Sequence, residues 1–455
     1  MHTRNPSLRR AALGLVLLAA CVAGAGSPAR AQTQSKADLE LARNRGRVML
    51  ALVKDYIKEY YYDPQYHGMD LEARFKAADA KIGEAQSLGQ VLGVIAQAVT
   101  ELNDSHTFFI PPPRPVDVDY GWKMQAIGDK VYVVAVKAGS DAEAQGLKPG
   151  DEVLSVDGFH PTRPVIWKME YNYNVLRPQP GKRIVVRSPD GAERELALKA
   201  KVDKLDKAVN LTQLFNDYDD EREDAKKLPR FYEEGEGADG VFIWKLREFG
   251  LTESRVDEMI SKARKHKALV LDLRGNGGGY EKTLQRMLGY VFDRDVTVGE
   301  TKERKKTRTL TAKTRGGEKV FKGQLIVLVD SESGSASELF ARVVQLEKRG
   351  TVVGDLSAGA VMRSTHRPGL LGDQSSGNMI QYGLSVTEAD IIMTDGQSLE
   401  HKGVTPDVLL LPTAEDLRAH RDPALARAVE LAGGKMSPEK AGLLFPPEAE
   451  LRSTH

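Results

Sequence analysis

Cysteine is almost missing from this 455-residue sequence, where Cys21 is the single one. Internal disulfides and thiolate metal sites are thereby excluded. No H-E-x-x-H pair argues for zinc, so neither a metal nor a cofactor is expected. A surplus of charge is missing too. Lysine and arginine number 65 against 64 aspartates and glutamates, a formal net charge of +1, which leaves no case for nucleic acid as the main partner. No internal apolar run reaches the length of a membrane span. What is present is an ordinary soluble balance, 41% hydrophobic and 28% charged. The chain is long enough for roughly two to four domains and a sizeable core.

The N-terminus reads as an export signal. Arg4, Arg9 and Arg10 make a positive start, Ala11–Ala20 is apolar, and small residues follow to Ala29-Arg30-Ala31. Leu18-Ala19-Ala20-Cys21 offers a second reading, a lipoprotein signal cut before an acylated Cys21, which would give membrane association through the lipid. Both cuts, after Ala31 or before Cys21, stay open. Either predicts an exported protein, periplasmic or extracytoplasmic, soluble or anchored as an outer-membrane lipoprotein. Residues 32–112 are expected to form an N-terminal helical domain, with helices over Ala37–Tyr61, Leu71–Ile82 and Leu88–Leu102. It ends at Asn103-Asp104-Ser105-His106-Thr107, ahead of a rigid Pro111–Pro113 and Pro115 boundary.

Residues 113–200 change character. The run A-x-x-x-G-L-x-x-G-D-x-V-L-x-V-x-G from Ala142 to Gly158 resembles a PDZ domain. That resemblance implies a groove that takes peptide carboxyl termini by strand addition, with Tyr120-Gly121-Trp122 as its carboxylate loop. A small β-domain that only braces its neighbour is the other reading. Residues 201–240 are a charged linker. Residues 241–412 alternate strands and helices, the signature of an α/β core. Within them Leu356–Ser376 reads as a long polar loop bordering a site. Residues 413–455 form a C-terminal helical tail.

The core is organised around residues 324–349. Leu325–Val329 is an apolar β-branched strand, and Leu339, Val343 and Leu346 recur at helical spacing. Between them lie small and polar residues, Ser331 to Glu338. A serine in that turn stands at a helix N-terminus, where free N–H groups favour developing negative charge. It is either a helix cap or a nucleophile beside an oxyanion site.

Three segments occur in order: Leu271-Asp272-Leu273-Arg274-Gly275-Asn276-Gly277-Gly278-Gly279, then Ser333-Gly334-Ser335-Ala336-Ser337-Glu338, then Glu400-His401-Lys402-Gly403-Val404-Thr405-Pro406-Asp407. Behind a PDZ-like segment they resemble the tail-specific (C-terminal-processing) and tricorn-type serine peptidases, over roughly residues 40–412. The resemblance implies a ClpP/crotonase-like α/β core of sheet and helices, an inserted PDZ-like β-domain and an N-terminal helical domain. It places the nucleophile at Ser335 and the oxyanion donors at Ala336 N–H and at Gly277 or Gly278. The tail-specific lysine base falls on Ala360, which cannot accept a proton. The tricorn-type alternative makes His106 the base and acid, with Ser105 and Glu400 orienting or polarising it. An unperturbed imidazole there loses activity below about pH 6. His366 and His401 compete as bases, and Glu338 supports the helix start or acts on substrate. The implied function is an exported serine endopeptidase acting through an acyl-enzyme on unfolded or C-terminally exposed polypeptides. The alternative is a non-catalytic adaptor that binds peptides or hydrophobic ligands. An oligomer is left open.

Overall fold

The computed structural model describes residues 35–204, 231–235, 240–372 and 379–446. The expected export signal, with Cys21 and both cleavage sites, lies outside the described residues, as does most of the expected linker. Among the described residues no helix is long and apolar enough to cross a membrane.

Helices α1 (Lys36–Tyr60), α2 (Leu71–Glu84) and α3 (Leu88–Thr100) begin where Ser35, Asp70 and Ser87 accept the N–H three residues on, satisfying donors that the helix itself leaves open. Their apolar stripes meet in one cluster with Ile57, Phe75, Ile82, Ile95 and Val99 inside it. The same cluster contains Phe109, Leu384 and Val386, so the helices are seated on a sheet. Strand β1 (Phe108–Ile110) makes that join, pairing antiparallel with Gly383–Ser385.

Strand β2 (Val116–Asp119) leads into β3 (Trp122–Ile127), β4 (Lys130–Val136), the one-turn α4 (Asp141–Ala144) and β5 (Glu152–Val156). Helix α5 (Ile166–Glu170) runs on as a π-helical turn to Leu176, followed by β6 (Gly181–Arg187) and β7 (Glu193–Lys199). Strands β3 to β7 form a five-stranded antiparallel sheet in chain order, leaving β3 at an edge. Lys201–Lys204, expected to begin the linker, is strand β8 paired with β2. The linker's far end also differs: β9 (Phe231–Glu234) pairs antiparallel with β10 (Val241–Lys245) because Phe231 and Tyr232 have apolar surface to cover.

After β10 the chain runs through α6 (Glu253–Ala263), β11 (Ala268–Asp272), α7 (Glu281–Val291), β12 (Val296–Glu303), β13 (Thr307–Ala312), β14 (Gln324–Val329), α8 (Ala336–Leu346), β15 (Thr351–Gly354), β16 (Arg363–Leu371), β17 (Ile380–Met393) and β18 (Val408–Leu409). The central sheet has the order β18-β15-β14-β11-β10-β9. All pairs but β9·β10 are parallel. Parallel strands buried on both faces need apolar residues at every position, and β10 and β11 are buried throughout. Phe242, Trp244, Leu269 and Leu271 face α6, α7 and α8. Val241, Ile243, Val270 and Ile326 face Leu425 and Val429 of α10 (Pro423–Leu431), which follows α9 (Ala414–Arg418) and precedes α11 (Pro438–Gly442). The expected C-terminal tail is thus one layer of the core.

A second sheet, β1-β17-β12-β13 with β16 also on β17, was not anticipated. Residues 293–320 carry no strong pattern, and β16 occupies what the sequence suggested was loop. Among the described residues of that stretch, Leu356–Met362 and Gly372 lie outside the strand. The fourteen-residue β17 holds β1 on one side and β12 further along, which fixes the start of the helical unit's exit segment beside the core.

Candidate active site

The turn that carries Ser335 joins β14 to α8. Asp330 Oδ1 accepts the N–H of Gly275 at 2.9 Å and of Glu332 at 3.0 Å, while Ser333 Oγ donates to the Leu273 carbonyl at 2.8 Å. Asn276 is fully buried and ties the glycine loop to this turn. Its Nδ2 donates to Leu246 O at 2.8 Å, its Oδ1 accepts Gly278 N–H at 2.9 Å, and its carbonyl accepts Gly334 N–H and Ser337 Oγ, both at 2.9 Å. Sequence reasoning passed over Asn276; an amide between glycines in a turn was its one signal.

Ser335 precedes the first turn of α8 with φ 53° and ψ −117°. An ordinary helix cap is extended, as Ser87 is here at φ −157°. Holding a serine at positive φ costs about 1–3 kcal/mol and persists only where its surroundings over-determine it. The surroundings do so: Ser335 N–H donates to Ala360 O at 2.6 Å and to Glu338 Oε2 at 3.2 Å. Gly278, at φ +112°, lies so close that an added Cβ would stand 2.5 Å from Ser335 Cβ.

The two expected glycine donors separate. Gly278 N–H is already given to Asn276. The N–H groups of Gly277 and Ala336 have no hydrogen-bond partner among the described residues, and an added Cβ at Gly277 would meet open space. One of these donors is on the residue after Ser335, and the other is in the loop whose Gly278 abuts it; an oxyanion site needs donors of this kind.

The histidine comes from the segment before β1. Asp104 is buried and its Oδ1 accepts three donors: His106 N–H at 2.9 Å, Thr107 N–H at 2.7 Å and Thr387 Oγ1 at 2.6 Å. Thr107 and Thr387 bond again, Oγ1 to Oγ1 at 3.0 Å and Thr387 N–H to Thr107 Oγ1 at 3.0 Å. The turn bearing His106 is therefore clamped to β17.

Ser105 Oγ lies 2.7 Å from His106 Nδ1 and 2.9 Å from Glu400 Oε2. Glu400 is held in turn by Ser105 N–H at 2.7 Å and Val361 N–H at 3.0 Å. An ionised carboxylate accepts only, so Ser105 donates to Glu400 and accepts His106 Nδ1–H. That leaves the Nε2 lone pair of the neutral ring open. Burial raises the Glu400 carboxyl above its ordinary range, against the hydrogen bonds from Val361 and Ser105. For His106 burial dominates and pulls the imidazole down to about 4, Asp104 opposing it and His366 adding to it. The unperturbed value behind the expected loss near pH 6 is thus corrected downward.

Ser335 and this relay meet on one short segment. Ala360 O takes Ser335 N–H, and the next residue's N–H goes to Glu400. His106 and Ser335 are not hydrogen bonded to each other; catalytic bonds are often long before substrate arrives. Ala360, where the resemblance puts the tail-specific lysine, contributes its backbone N–H and carbonyl. Glu338, fully buried, accepts Ser357 Oγ at 2.5 Å, Gly359 and Ala360 N–H at 2.8 Å, and Ser335 N–H. Burial pushes its carboxyl up to about 7 against those bonds.

The rival histidines are placed differently. His401 Nε2 is 2.8 Å from the Asn103 carbonyl, which occupies that nitrogen. His366 on β16 stands edge-on to Phe108, ring centres 6.3 Å apart, and burial lowers its imidazole as well. Tyr120-Gly121-Trp122 does not form an open carboxylate cradle. Tyr120 is buried, its hydroxyl 3.3 Å from Tyr173 O and 3.0 Å from Gln179 N, and Gly121 N–H is given to Asp119 at 2.7 Å. Asp119, two residues earlier, supplies the intramolecular acceptor that the tripeptide alone did not reveal. Among the described residues no group of three or more His, Cys, Asp or Glu is placed to hold a metal.

Comparison with known proteins bears on the core that carries these residues. Residues 241–410 match the model of peptidase family S41, and the chain carries a domain of that family. The tail-specific protease of Haemophilus influenzae is 24% identical over 359 residues, 74% of this chain and 48% of the relative. A probable CtpA-like serine protease of Staphylococcus haemolyticus is 24% identical over 295 residues, 64% of this chain and 52% of the relative. The chain spans about half the length of these curated relatives. Among solved structures, mature CPAF superposes with a TM-score of 0.61 at 16% identity, covering 83% of this chain and 94% of its own. The photosystem II D1 C-terminal processing protease does so at 0.51 and 19%, covering 87% and 99%. The likeness to both is one of fold: mixed sheets and helices of the S41 peptidase type.

Proposed function

We propose that the protein is an exported serine endopeptidase that cleaves unfolded or C-terminally exposed polypeptides, with Ser335 as nucleophile and His106 as base. The observation that carries the reading is the Glu400–Ser105–His106 relay, anchored through Val361 to the segment that binds Ser335. Substrate enters between His106 and the glycine loop. Ser335 Oγ bonds to the scissile carbonyl carbon as its proton passes to His106 Nε2. The carbonyl oxygen, now negative, takes hydrogen bonds from Ala336 and Gly277 N–H. Glu400, through Ser105, steadies the imidazolium. His106 returns the proton to the leaving amine, and the C–N bond breaks. Water then attacks the acyl-enzyme with His106 again accepting the proton, which frees Ser335 and the new carboxylate.

A histidine base fits Ala360 better than the lysine dyad of tail-specific relatives does. The N-terminal signal supports export, with either a free or a Cys21-lipidated product. The β3–β7 sheet resembles a PDZ domain, a module that takes peptides by strand addition; here its terminal strand β3 is tied to the turn before Ser335, Lys123 to Glu332 at 2.7 Å and Gln125 to Asp330 at 2.7 Å. The test is hydrolysis of an unstructured polypeptide by wild type, Ser335→Ala and His106→Ala, with fluorophosphonate labelling of the serine. Hydrolysis that survives Ser335→Ala refutes the reading. Peptide binding with no hydrolysis by wild type would point to an adaptor instead.

A further inference from the structure

We propose that Glu338 is a positioning residue: its carboxylate fixes the nucleophile turn to the strap 357–361, and through that strap sets how His106 approaches Ser335. The inference rests on the serine-peptidase reading and adds to it a residue that touches no reacting atom.

Glu338 sits one turn into α8 and is fully buried. Its two oxygens divide four donors. Oε2 takes Ser335 N–H at 3.2 Å and Ala360 N–H at 2.8 Å; Oε1 takes Ser357 Oγ at 2.5 Å and Gly359 N–H at 2.8 Å. A helix-capping glutamate explains the Ser335 contact alone. The other three donors come from a segment about twenty residues further along, counted from their chain separations of 19, 21 and 22. All four partners are neutral. A buried carboxylate without a cation is costly unless hydrogen bonds satisfy it, and here they fill both oxygens.

The strap explains what that arrangement does. N–H groups at consecutive positions alternate owners: Gly359 and Ala360 give theirs to Glu338, and Val361 gives its own to Glu400. Ala358 N–H returns to Ser333 O at 3.0 Å, Ala360 O receives Ser335 N–H at 2.6 Å, and Ser357 Oγ accepts Val404 N–H at 2.6 Å. Three backbone residues thus join the carboxylate beneath the nucleophile to the carboxylate behind the base. Release of the Glu338 end frees the strap to slide, and the two halves of the site lose their common reference.

Glu338→Gln tests this with little change in shape. The amide keeps one acceptor oxygen but turns an NH2 toward two of the donors. The expected result is a folded protein whose kcat falls about 100-fold while KM stays within about twofold, the cost of a misplacement on the order of 1 Å. Phosphonate labelling of Ser335 should slow in parallel. A pH profile separates positioning from bulk stability. The groups facing Glu338 are Ser335 N–H on its own helix and the hydroxyl and N–H groups of the strap, none of which titrates near neutrality. Beyond the strap stand Glu400 and His401, the latter donating N–H to Gly359 O at 2.8 Å. Protonation of Glu338 removes an acceptor oxygen, so wild-type kcat should fall as pH drops through about 7 and Glu338→Gln should lack that limb. A folded Glu338→Gln with kcat within about threefold of wild type, or with the same acid limb, overturns the proposal. Should Glu338→Gln fail to fold, Ser357→Ala removes one donor only; about a tenfold loss of kcat at constant KM supports the role, and an unchanged kcat overturns it. Ser335→Ala in the same assay keeps the two readings apart. If it still hydrolyses substrate, the peptidase assignment fails; if it is dead while Glu338→Gln is fully active, only the positioning role fails.

Discussion

Ser105 is the one group between Glu400 and His106, so replacing it with alanine isolates the relay. Glu400 keeps its two backbone donors, Ser105 N–H at 2.7 Å and Val361 N–H at 3.0 Å, and should not move. What disappears is the hydroxyl 2.7 Å from His106 Nδ1 and 2.9 Å from Glu400 Oε2. His106 then has no acceptor for Nδ1–H, its tautomer is no longer fixed, and the imidazolium formed during attack loses its link to the carboxylate. A hydrogen bond to a charged group contributes about 1.5–3 kcal/mol. At 1.36 kcal/mol per decade of rate, Ser105→Ala should lower kcat by about 10- to 150-fold. KM should hold, because the bond strengthens only as charge develops on the ring. Steady-state hydrolysis of a fluorogenic unstructured peptide measures both, and Ser105→Thr, which restores a hydroxyl, should recover most of the rate. Near-wild-type kcat in Ser105→Ala, or a raised KM with kcat intact, would show that the base works without the relay.

Three further outcomes are expected. His106 stays neutral down to about pH 4, so its ring resonances, identified by comparison with His106→Ala, should not titrate between about pH 8 and pH 5, as a free imidazole near 6.5 would. The sign for stability follows: the folded value lies below the unfolded one, so the neutral ring favours folding above about 6.5, and that advantage is lost as pH falls toward 4; urea midpoints across this range should fall with acidification, and less so in His106→Ala. Gly278→Ala places a Cβ 2.5 Å from Ser335 Cβ at φ +112°; activity should be lost along with about 1–3 kcal/mol of stability, whereas Gly277→Ala, with open space at its Cβ, should melt close to wild type. Leu425→Ala empties a fully buried position on the tail-side face of the central sheet; thermal or urea unfolding should register about 2–5 kcal/mol, and a surface-like loss under 1 kcal/mol would mean that α10 does not close that face.

What the sequence made legible were features carried by side-chain identity over short stretches. The strand, small-residue turn and helix around Ser335 could be placed because apolar spacing changes period there. Ser105-His106 and Glu400 could be singled out because their types suit proton transfer. Ala360 could be set aside as a base because its side chain accepts no proton. The second sheet was hidden, since β12 and β13 are mixed in polarity and gain their strand character from pairing, β13 with β12 and β12 with the long β17. Tyr120-Gly121-Trp122 suggested a cradle because its composition suits one, but composition does not say whether an N–H is already spent, and Asp119 spends it.

The same limit governs the catalytic site, and there it has a consequence. Gly277 and Gly278 are indistinguishable as letters, yet only one keeps its N–H unclaimed, because Asn276 takes the other. Ala360 looks like a plain deletion of function, yet its N–H and carbonyl bind Glu338 and Ser335. Where tail-specific relatives are expected to carry a base on this segment, the mechanism proposed for the present chain uses the segment as a ruler and takes its base, His106, from the helical unit by way of Asp104 and β17. A lysine restored at 360 would therefore enter a site already built around another proton acceptor. Its backbone contacts could persist, but the side chain would compete with His106 for the space beside Ser335. Ala360→Lys is accordingly expected to reduce activity, and a gain would mean that His106 is not the group that takes the serine's proton.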